Sequence, residues 1–352
     1  MRFKPYVAQV LVTAGVLGLV GLSVSLSHGD EQGRAEASSP KRVAATATLS
    51  NAADAAPCAA TSPAPACPAD MVNVKDRFCI DRYEGSITDE TGRAASPYYP
   101  PDGPSAVKQW MHWSAVSTWE QWVASGRIDA GDGGGFLFVE EPEAGTCPGG
   151  ALDTDSGSCW EPRVLVGVPP LPPWQQSGAY DYRAVSKQGV EPSGYMSGLT
   201  SAHACSAAGK RLCTEAEWVT ACRGERGTRQ PYGDQFRDGI CNIHREAHPS
   251  IVLRGDWGAK LTDPRLNLMH HQGAPLLRKT GASPGCASRW GDDAIYDMVG
   301  NLDEWVDNRA GLFLGGFYAR ATHRGCMARV WAHPVSHVDF STGFRCCRDT
   351  NR

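Results

Sequence analysis

The sequence lacks any long block of charge of one sign. It has 34 Lys and Arg residues against 38 Asp and Glu residues, a formal net charge of -4. A nucleic-acid-binding surface needs clustered basic charge, so we expect no nucleic-acid partner. No internal period of roughly 20 to 50 residues is visible, which argues against a solenoid or a propeller. The phosphate-loop signature G-x-x-x-x-G-K is also absent.

Long hydrophobic runs are scarce, and the one that stands out lies at the N-terminus. Residues 1–27 place Arg2 and Lys4 before an apolar run rich in Val, Leu and Gly. This layout is typical of a secretory signal peptide. Cleavage after the small residues Ser25 and Ser27 and retention as a signal anchor both stay open, because the run is nearly long enough to span a bilayer. Either outcome predicts an exported protein, periplasmic or membrane-anchored and facing outward.

The next 39 positions, residues 28–66, are rich in Ala, Ser, Pro and Thr and almost free of large apolar side chains. Such a segment cannot bury enough surface to fold, which predicts a disordered tether. The remaining residues, 67–352, form the predicted folded domain. A Trp-rich and Gly-rich insert at about residues 104–173 is expected to add a helix and a surface loop.

Local signals predict short elements joined by many turns. Strands are expected at residues 71–74 and 78–83, where apolar residues alternate. A helix is expected to begin at Thr200 or Ser201 and to end before Gly209. A second helix is expected to begin at Thr214, since Glu217 follows three positions later as in a capping box. The overall prediction is a loop-rich α+β fold.

Cysteine is abundant, at 13 residues. Outside the cytoplasm thiols are usually oxidised and paired. An exported chain with this count is expected to form about six disulfides and to leave one thiol over.

Five stretches, given in their order along the chain, carry a family resemblance: GKRLCTEAEW, PYGDQFRDGICNIH, AIYDMVGNLDEWVDN, LGGFYARATHRGC and STGFRCCRD. In this order they resemble the motifs of the formylglycine-generating enzymes, also called sulfatase-modifying factor domains. The resemblance implies a disulfide-rich variant of the C-type-lectin-like fold with little regular secondary structure. It also implies an oxidase that converts a protein cysteine to formylglycine with a copper(I) ion.

The copper ion of that family is held by two cysteines five positions apart, since thiolates select Cu(I). Counted from the GG motif, those positions fall on Arg320 and Gly325; counted back from CMAR, they fall on Gly316 and Ala321. No Cys-x4-Cys occurs in the chain. Because a guanidinium cannot ligate copper, we do not expect copper as a cofactor.

The resemblance also implies disulfide pairs. It joins Cys205 to Cys346 and Cys222 to Cys326. The simplest further pair is Cys213 with Cys347, while Cys241 with Cys286 and Cys147 with Cys159 are weaker expectations. Cys58, Cys67 and Cys79 would leave one thiol unpaired.

The stretch YDMVGNLDEW resembles the family's calcium-binding loop. Calcium would take carboxylate oxygens from Asp297 and Glu304 and backbone carbonyls from Gly300 and Leu302. The alternative is that the two acids only cap turns. A second calcium site would include Asn242 and Ile243, with Asp263 as a candidate partner.

Histidines and a carboxylate cluster at HPVSHVD, where His333, His337 and Asp339 are close in sequence. With His270, His271 and His323 they raise the alternative of an iron site with two histidines and one carboxylate. Ordinary surface or core histidines are the favoured interpretation, because Pro334 prevents His333 and His337 from sharing a helix face.

Three functions are compatible with these observations, and one of them is a purely structural envelope component. The favoured one is an atypical member of the family that binds a protein or peptide at the cell envelope. The rival is an oxidase acting on a protein cysteine, with Cys326 or an unpaired neighbour replacing the missing pair; whether the chain is an enzyme stays open.

Overall fold

The computed structural model describes residues 67–124, 151–152, 159–160, 167–177, 180–254 and 260–350. The chain divides into two units, residues 1–60 and residues 61–352, and every described residue lies in the second. The predicted signal segment and tether lie outside the described residues, as does the Gly-rich part of the insert. Within the described ranges, no helix has the length and apolar character needed to cross a bilayer.

Sixteen short strands and four helices occur in the described part of the chain. The helices are α1 Gly103–Ala124, α2 Gly198–Ala207, α3 Glu215–Arg223 and α4 Pro249–Arg254. The strands are β1 Met71–Val74, β2 Phe78–Asp81, β3 Gly85–Asp89, β4 Ala151–Leu152, β5 Cys159–Trp160, β6 Tyr182–Ser186, β7 Arg211–Leu212, β8 His270–His271, β9 Ala274–Pro275, β10 Ala287–Trp290, β11 Asp293–Tyr296, β12 Asp303–Trp305, β13 Phe313–Leu314, β14 Arg329–Val330, β15 Thr342–Phe344 and β16 Cys346–Asp349. The α+β fold class expected from the sequence is confirmed.

Two four-stranded sheets organise the domain. The first has the order β1-β2-β16-β7 and is antiparallel throughout. The second has the order β14-β13-β12-β15, with β12 and β15 parallel. Strands β15 and β16 are separated only by Arg345, so one continuous C-terminal segment joins the two sheets.

Strand β2 is buried along its whole length, which explains its run of apolar residues. Its last residue, Asp81, is fully buried and forms an ion pair with Lys210 at 2.6 Å. Burial raises the pKa of Asp81 to about 6, although Lys210 lowers it. This pair ties β2 to the turn that precedes β7.

The two helices α2 and α3 pack beside these sheets. Helix α3 begins at Thr214, as predicted, and Thr214 and Glu217 form a reciprocal capping box. Helix α2 begins earlier than predicted: its N-cap is Ser197, and Thr200 is the third helical residue that completes the box. Gly209, after the end of α2, has φ 68°, which suits a residue without a side chain.

Buried aromatic residues form the cores beneath the sheets. Trp218 of α3 lies among the apolar residues of β1 and β2, and Trp305 lies with Phe313 and Phe344. Gly85 faces Phe344 so closely that an added Cβ would lie 2.4 Å from the ring. Helix α1, which carries the Trp-rich run, buries Ala106 and Trp113. Trp113, and Trp110 packed beside Tyr99 and Leu171, therefore serve packing.

Candidate binding site

A cluster of charged and polar side chains, which we call the polar pocket, lies where β12 begins, and it contains Arg320, one of the two positions at which the resemblance places a copper ligand. The guanidinium Nη2 of Arg320 donates to Asp303 Oδ2 at 2.5 Å. Asp303 is buried, at 1% exposure, whereas the Arg320 side chain is 30% exposed. The Arg320 guanidinium also lies over the Phe317 ring, 5.1 Å from its centroid. Asp303 thus holds one edge of a guanidinium that reaches the surface.

The loop before β15 brings the predicted histidines to the same pocket. His337 Nε2 and Asp339 Oδ2 are 2.8 Å apart, and the other oxygen of Asp339 accepts from the amide and hydroxyl of Ser341. The His333 and His337 rings stack with centroids 3.9 Å apart. His333 also stacks on Phe313, so β13 holds this pair of rings in place.

Charges within the pocket influence one another. Burial raises the pKa of Asp303 to about 6; Arg320 lowers it and the nearby Asp339 raises it. Burial acts to raise the pKa of Asp339 too, but hydrogen bonds from His337 and Ser341 reverse the sign and lower it. Burial and the neighbouring His337 lower the pKa of His333. One guanidinium and two histidines therefore face two carboxylates.

Two buried polar atoms of the pocket have no hydrogen-bond partner. They are Asp303 Oδ1, an acceptor, and Arg320 Nε, a donor. Buried polar groups are nearly always paired with protein or with ordered water. An unpaired acceptor beside an unpaired donor indicates a place suited to a small group, such as water or an amide, that both donates and accepts.

Copper does not fit the positions that the resemblance assigns to it. Arg320 is ion-paired, and Gly325 has no side chain to offer. Cys326, the thiol considered as a substitute, forms a disulfide with Cys222, which corrects that expectation. We therefore derive no step through copper.

The remaining histidines lie elsewhere. His323 stacks with Phe236 and contacts the tilted ring of His244, and His270 and His271 belong to the β8–β9 hairpin. Among the described residues, no three His, Cys, Asp or Glu side chains are arranged to hold a metal ion. The structure thus brings His333, His337 and Asp339 together without the other three.

The predicted calcium loop lies in a buried acidic cluster. Glu304 receives hydrogen bonds from Arg345 and Trp218 on its two carboxylate oxygens. Asp297 accepts from the amide of Gly281 at 2.6 Å. The sequence analysis missed a third acid, Glu84, which accepts from Asn301 and from the amide of Leu302.

Three carboxylates of this cluster face two guanidinium groups, the buried Arg345 and, beside Asp297, Arg278. Burial raises the pKa of Glu84 well above its usual range, and the charges of Asp297 and Glu304 raise it further. Burial also raises the pKa of Asp297 to about 6. A cation with hard oxygen ligands fits this excess of negative charge, and Glu84 and Asp297 retain more unused lone pairs than Glu304. The carbonyls of Gly300 and Leu302 belong to the same turn.

The second predicted calcium site is less complete. Asn242 is buried and its Oδ1 has no partner, as a metal ligand would require. Asp263, the candidate partner, is instead bound by Arg265 at 2.8 Å. Gly300 must lack a side chain here, because an added Cβ would lie 2.2 Å from the Asn242 carbonyl oxygen.

Five disulfides join the ten cysteines whose side chains are described. They are Cys67–Cys79, Cys205–Cys346, Cys213–Cys347, Cys222–Cys326 and Cys241–Cys286. The last four are pairs that the sequence analysis expected. Cys58 and Cys147 lie outside the described residues, so the expected pair of Cys147 with Cys159 stays a prediction.

Residues 281–285 read GASPG, which has the G-x-S-x-G spacing of serine hydrolases. The expected strand, sharp turn and helix do not surround it. Ser283 is buried and its hydroxyl accepts from Arg278 Nη1 at 3.1 Å, just before strand β10. The serine is therefore structural.

Comparison with known proteins gives a family for the C-terminal part of the chain. Residues 198–350 match the model of the sulfatase-modifying factor enzyme 1-like domain. No functionally curated protein matches the sequence at a significant level.

Three solved structures are similar at low levels. CarF is 15% identical with a TM-score of 0.32, covering 78% of this chain and 87% of its own. PvdO from Pseudomonas aeruginosa is 13% identical with a TM-score of 0.31, covering 77% and 80%. The U1 variant of the major tropism determinant is 14% identical with a TM-score of 0.28, covering 82% and 54%. TM-scores this low add no argument about function.

Proposed function

Residues 198–350 form a sulfatase-modifying factor enzyme 1-like domain, and from this premise we propose that the protein is an exported binding module for a peptide segment. The binding site is the pocket of Asp303, Arg320, His333, His337 and Asp339. The chemistry of the pocket is recognition of polar main-chain groups, without copper-dependent oxidation of a cysteine.

One observation carries the proposal: the Arg320–Asp303 ion pair stands where the resemblance expects a copper thiolate. A guanidinium is always protonated and offers only N–H donors, so it binds oxygen acceptors and cannot ligate a metal. The disulfide of Cys326 supports the same interpretation, since a bridged sulfur supplies no thiolate.

The charges of the pocket favour a neutral peptide over a charged ligand. Arg320 is balanced by Asp303, and Asp339 is hydrogen-bonded to His337. In the described structure the Arg320 side chain makes a hydrogen bond only through Nη2. Its remaining donors suit peptide carbonyl oxygens, and the neighbouring carboxylates suit peptide N–H groups. Trp331, which is 54% exposed and close in sequence to His333, supplies an apolar surface.

Export and calcium complete the proposal. Five disulfides support an extracytoplasmic location, since such bonds persist in oxidising compartments. An anchoring role for residues 1–27 would place the module at the membrane surface. A calcium ion held by Glu84, Asp297 and the carbonyls of Gly300 and Leu302 would neutralise the buried acids and rigidify the turn.

A thiol count with disulfide mapping tests the absence of copper chemistry. The full chain is alkylated under denaturing, non-reducing conditions and then digested. We expect Cys222 linked to Cys326 and at most one alkylated thiol. Two free cysteines that titrate with Cu(I), together with oxygen consumption on a cysteine-containing peptide, would restore the oxidase.

Selection from a random peptide display library tests the binding function on the same preparation. We expect enriched peptides to bind the full chain and to lose about tenfold in affinity with Arg320→Gln. The matched control is Arg309→Gln, an exposed arginine outside the pocket. The proposal fails if no peptide is enriched, or if both variants bind alike.

A further inference from the structure

A concave site lies between the loop that follows α3 and strand β10, and its lining shares no residue with the polar pocket described above. Its volume is ≈ 330 Å³. Three arginines line it, namely Arg223, Arg226 and Arg289. Apolar or weakly polar walls come from Pro231, Tyr232 and Pro284.

The positive charge of this arginine pocket is not balanced by acids. Within the described ranges, none of its three arginines forms an ion pair with a carboxylate. Glu225 is the only acid in the lining, and its Oε1 accepts from the amide of Gly291 at 2.9 Å. Three cations against one anion leave an excess of two positive charges, in a chain whose net charge is -4.

The arginine side chains differ in how much of their donor capacity is used. Arg223 donates through Nε and Nη2 to the carbonyl of Gly227, which fixes its guanidinium. Arg226 makes one long hydrogen bond, at 3.3 Å, to the Tyr232 carbonyl. Arg289 makes no side-chain hydrogen bond in the described structure. Donors therefore remain free on a guanidinium that is already oriented.

The backbone around the arginine pocket is firmly connected. The amide of Glu225 donates to the carbonyl of Arg289 at 3.1 Å, so the loop is attached to β10. The amide of Thr228 donates to the carbonyl of Arg223 at 3.0 Å, and its hydroxyl donates to the carbonyl of Gln230 at 2.7 Å. Gly224 has φ 64°, and an added Cβ would lie 3.2 Å from the Arg289 carbonyl oxygen. The loop is thus built to bring Arg223, Arg226 and Arg289 together.

We propose that the arginine pocket binds the dianionic phosphoryl group of a phosphomonoester. Guanidinium groups bind phosphate oxygens through parallel N–H donors, and an excess of two positive charges matches a dianion better than a carboxylate or a sulfate ester, which carry one negative charge. The volume exceeds what a phosphate ion needs, so the esterified organic group lies against Tyr232 and the prolines.

Calorimetric titration of the full chain tests this proposal. The probes are a hexose 6-phosphate, the same hexose with a 6-sulfate, and the unmodified hexose. We expect one site for the phosphate, about tenfold weaker binding of the sulfate and no binding of the hexose. Binding should weaken as NaCl is raised. Co-sedimentation with phosphatidylcholine vesicles that contain phosphatidic acid distinguishes a lipid phosphomonoester from a soluble one.

Variants identify the site. Arg289→Gln removes a guanidinium that makes no internal hydrogen bond, so the fold should be retained, and affinity should fall about tenfold. Arg309→Gln is the matched control and should change nothing. The proposal is overturned if neither the hexose 6-phosphate nor the vesicles bind. It is equally overturned if the phosphate and sulfate bind alike, or if Arg289→Gln and Arg309→Gln have the same effect.

Discussion

The guanidinium of Arg345 is completely buried between the two sheets. It donates to both oxygens of Glu304 and to the carbonyls of Asp81 and Tyr296. Burial acts to lower the pKa of Arg345, but the charge of Glu304 reverses the direction and raises it. This single residue, located between β15 and β16, therefore connects both sheets through charge-assisted hydrogen bonds.

Replacing one partner of this pair should be costly. Arg345→Met leaves the Glu304 charge buried with only Trp218 as a donor, which should destabilise the fold by about 3–5 kcal/mol. The double variant Glu304→Gln with Arg345→Met should recover part of that loss. Denaturant unfolding at neutral pH measures both, with Arg309→Met as the surface control. Equal losses for the single and double variants would contradict the argument.

A second consequence at this scale concerns pH and Asp303. Its pKa is raised to about 6 in the folded protein, so the folded state binds its proton more readily than the unfolded state does. Charged Asp303 therefore disfavours folding above about pH 6. This penalty disappears as the pH falls toward about 4, the ordinary pKa of an aspartate. Protonation should recover up to about 3 kcal/mol, since one pKa unit corresponds to about 1.4 kcal/mol.

The variant Asp303→Asn isolates that contribution. Its stability relative to the parent should be highest above pH 6 and should decline as the pH is lowered to about 4, because only the parent gains by protonation. Urea unfolding of both proteins across this range measures the difference. Thr322→Ala, which leaves the carboxylates of Asp303 and Asp339 unchanged, provides the control. A difference that does not vary with pH would contradict a raised pKa of Asp303 in the folded protein.

Sequence reasoning located some of these residues and missed others for a physical reason. Arg320 and the histidines were found because a motif and a local cluster marked their positions. Asp303 and Glu84 carry no local signal of burial. Glu84 meets Leu302 across 218 positions of sequence, and only the folded backbone creates that contact.

Capping interactions determine where the helices begin and end. The helices in turn position the strands behind the binding site. In α3, Thr214 accepts from the amide of Glu217 while the Glu217 carboxylate accepts from the amide of Thr214. Arg211 adds two hydrogen bonds to the same carboxylate, at 2.8 and 2.7 Å. The start of α3 is thereby joined to β7.

Removing the cap should cost a predictable amount. Thr214→Ala leaves the Glu217 amide without its acceptor and should lower stability by about 1 kcal/mol. Thr220→Ala in the same helix is a matched control, because its hydroxyl makes no hydrogen bond in the described structure and alanine favours helix. Thermal and denaturant unfolding compare the two. Identical effects would mean that the box contributes nothing.

Helices α2 and α3 show where a sequence pattern predicts the start of a helix correctly and where it does not. The Thr214–Glu217 spacing is a strong signal and gave the correct start of α3. For α2 the predicted start at Thr200 or Ser201 was wrong by a turn, since Ser197 caps the helix and the threonine hydroxyl takes the role usually filled by Glu or Gln. Several adjacent hydroxyl residues leave the sequence ambiguous, and tertiary packing decides among them.

On the scale of the whole molecule, disulfides close loops between distant segments. Cys205–Cys346 and Cys213–Cys347 have sequence separations of 141 and 134, and they tie strand β16 to both ends of the segment 205–213. The fold class, and the match of residues 198–350 to the sulfatase-modifying factor enzyme 1-like domain, could be predicted from motifs taken in their order along the chain. The pairing Cys67–Cys79 was left open, because several connectivities satisfy the same cysteine count.

These two bonds should act as partial substitutes for each other. While one is present, the other closes only the short ring through residues 205–213 and 346–347, so losing it should cost about 3 kcal/mol in the chain-entropy model. Losing both also opens the ring of roughly 40 residues that Cys222–Cys326 leaves through residues 205–222 and 326–346, so the total loss should be about 7 kcal/mol. This exceeds the sum of the single losses by roughly 1 kcal/mol. Denaturant unfolding measures this coupling in three variants: C213A/C347A, C205A/C346A and the quadruple variant. The coupling is the loss of the quadruple variant minus the losses of the two pairs, so the packing lost at each alanine cancels in the difference. C241A/C286A combined with either pair serves as the control, since it closes a separate loop of 45 residues. Strict additivity for Cys205–Cys346 and Cys213–Cys347 would show that the two bonds stabilise the domain through native contacts rather than by restricting the unfolded chain.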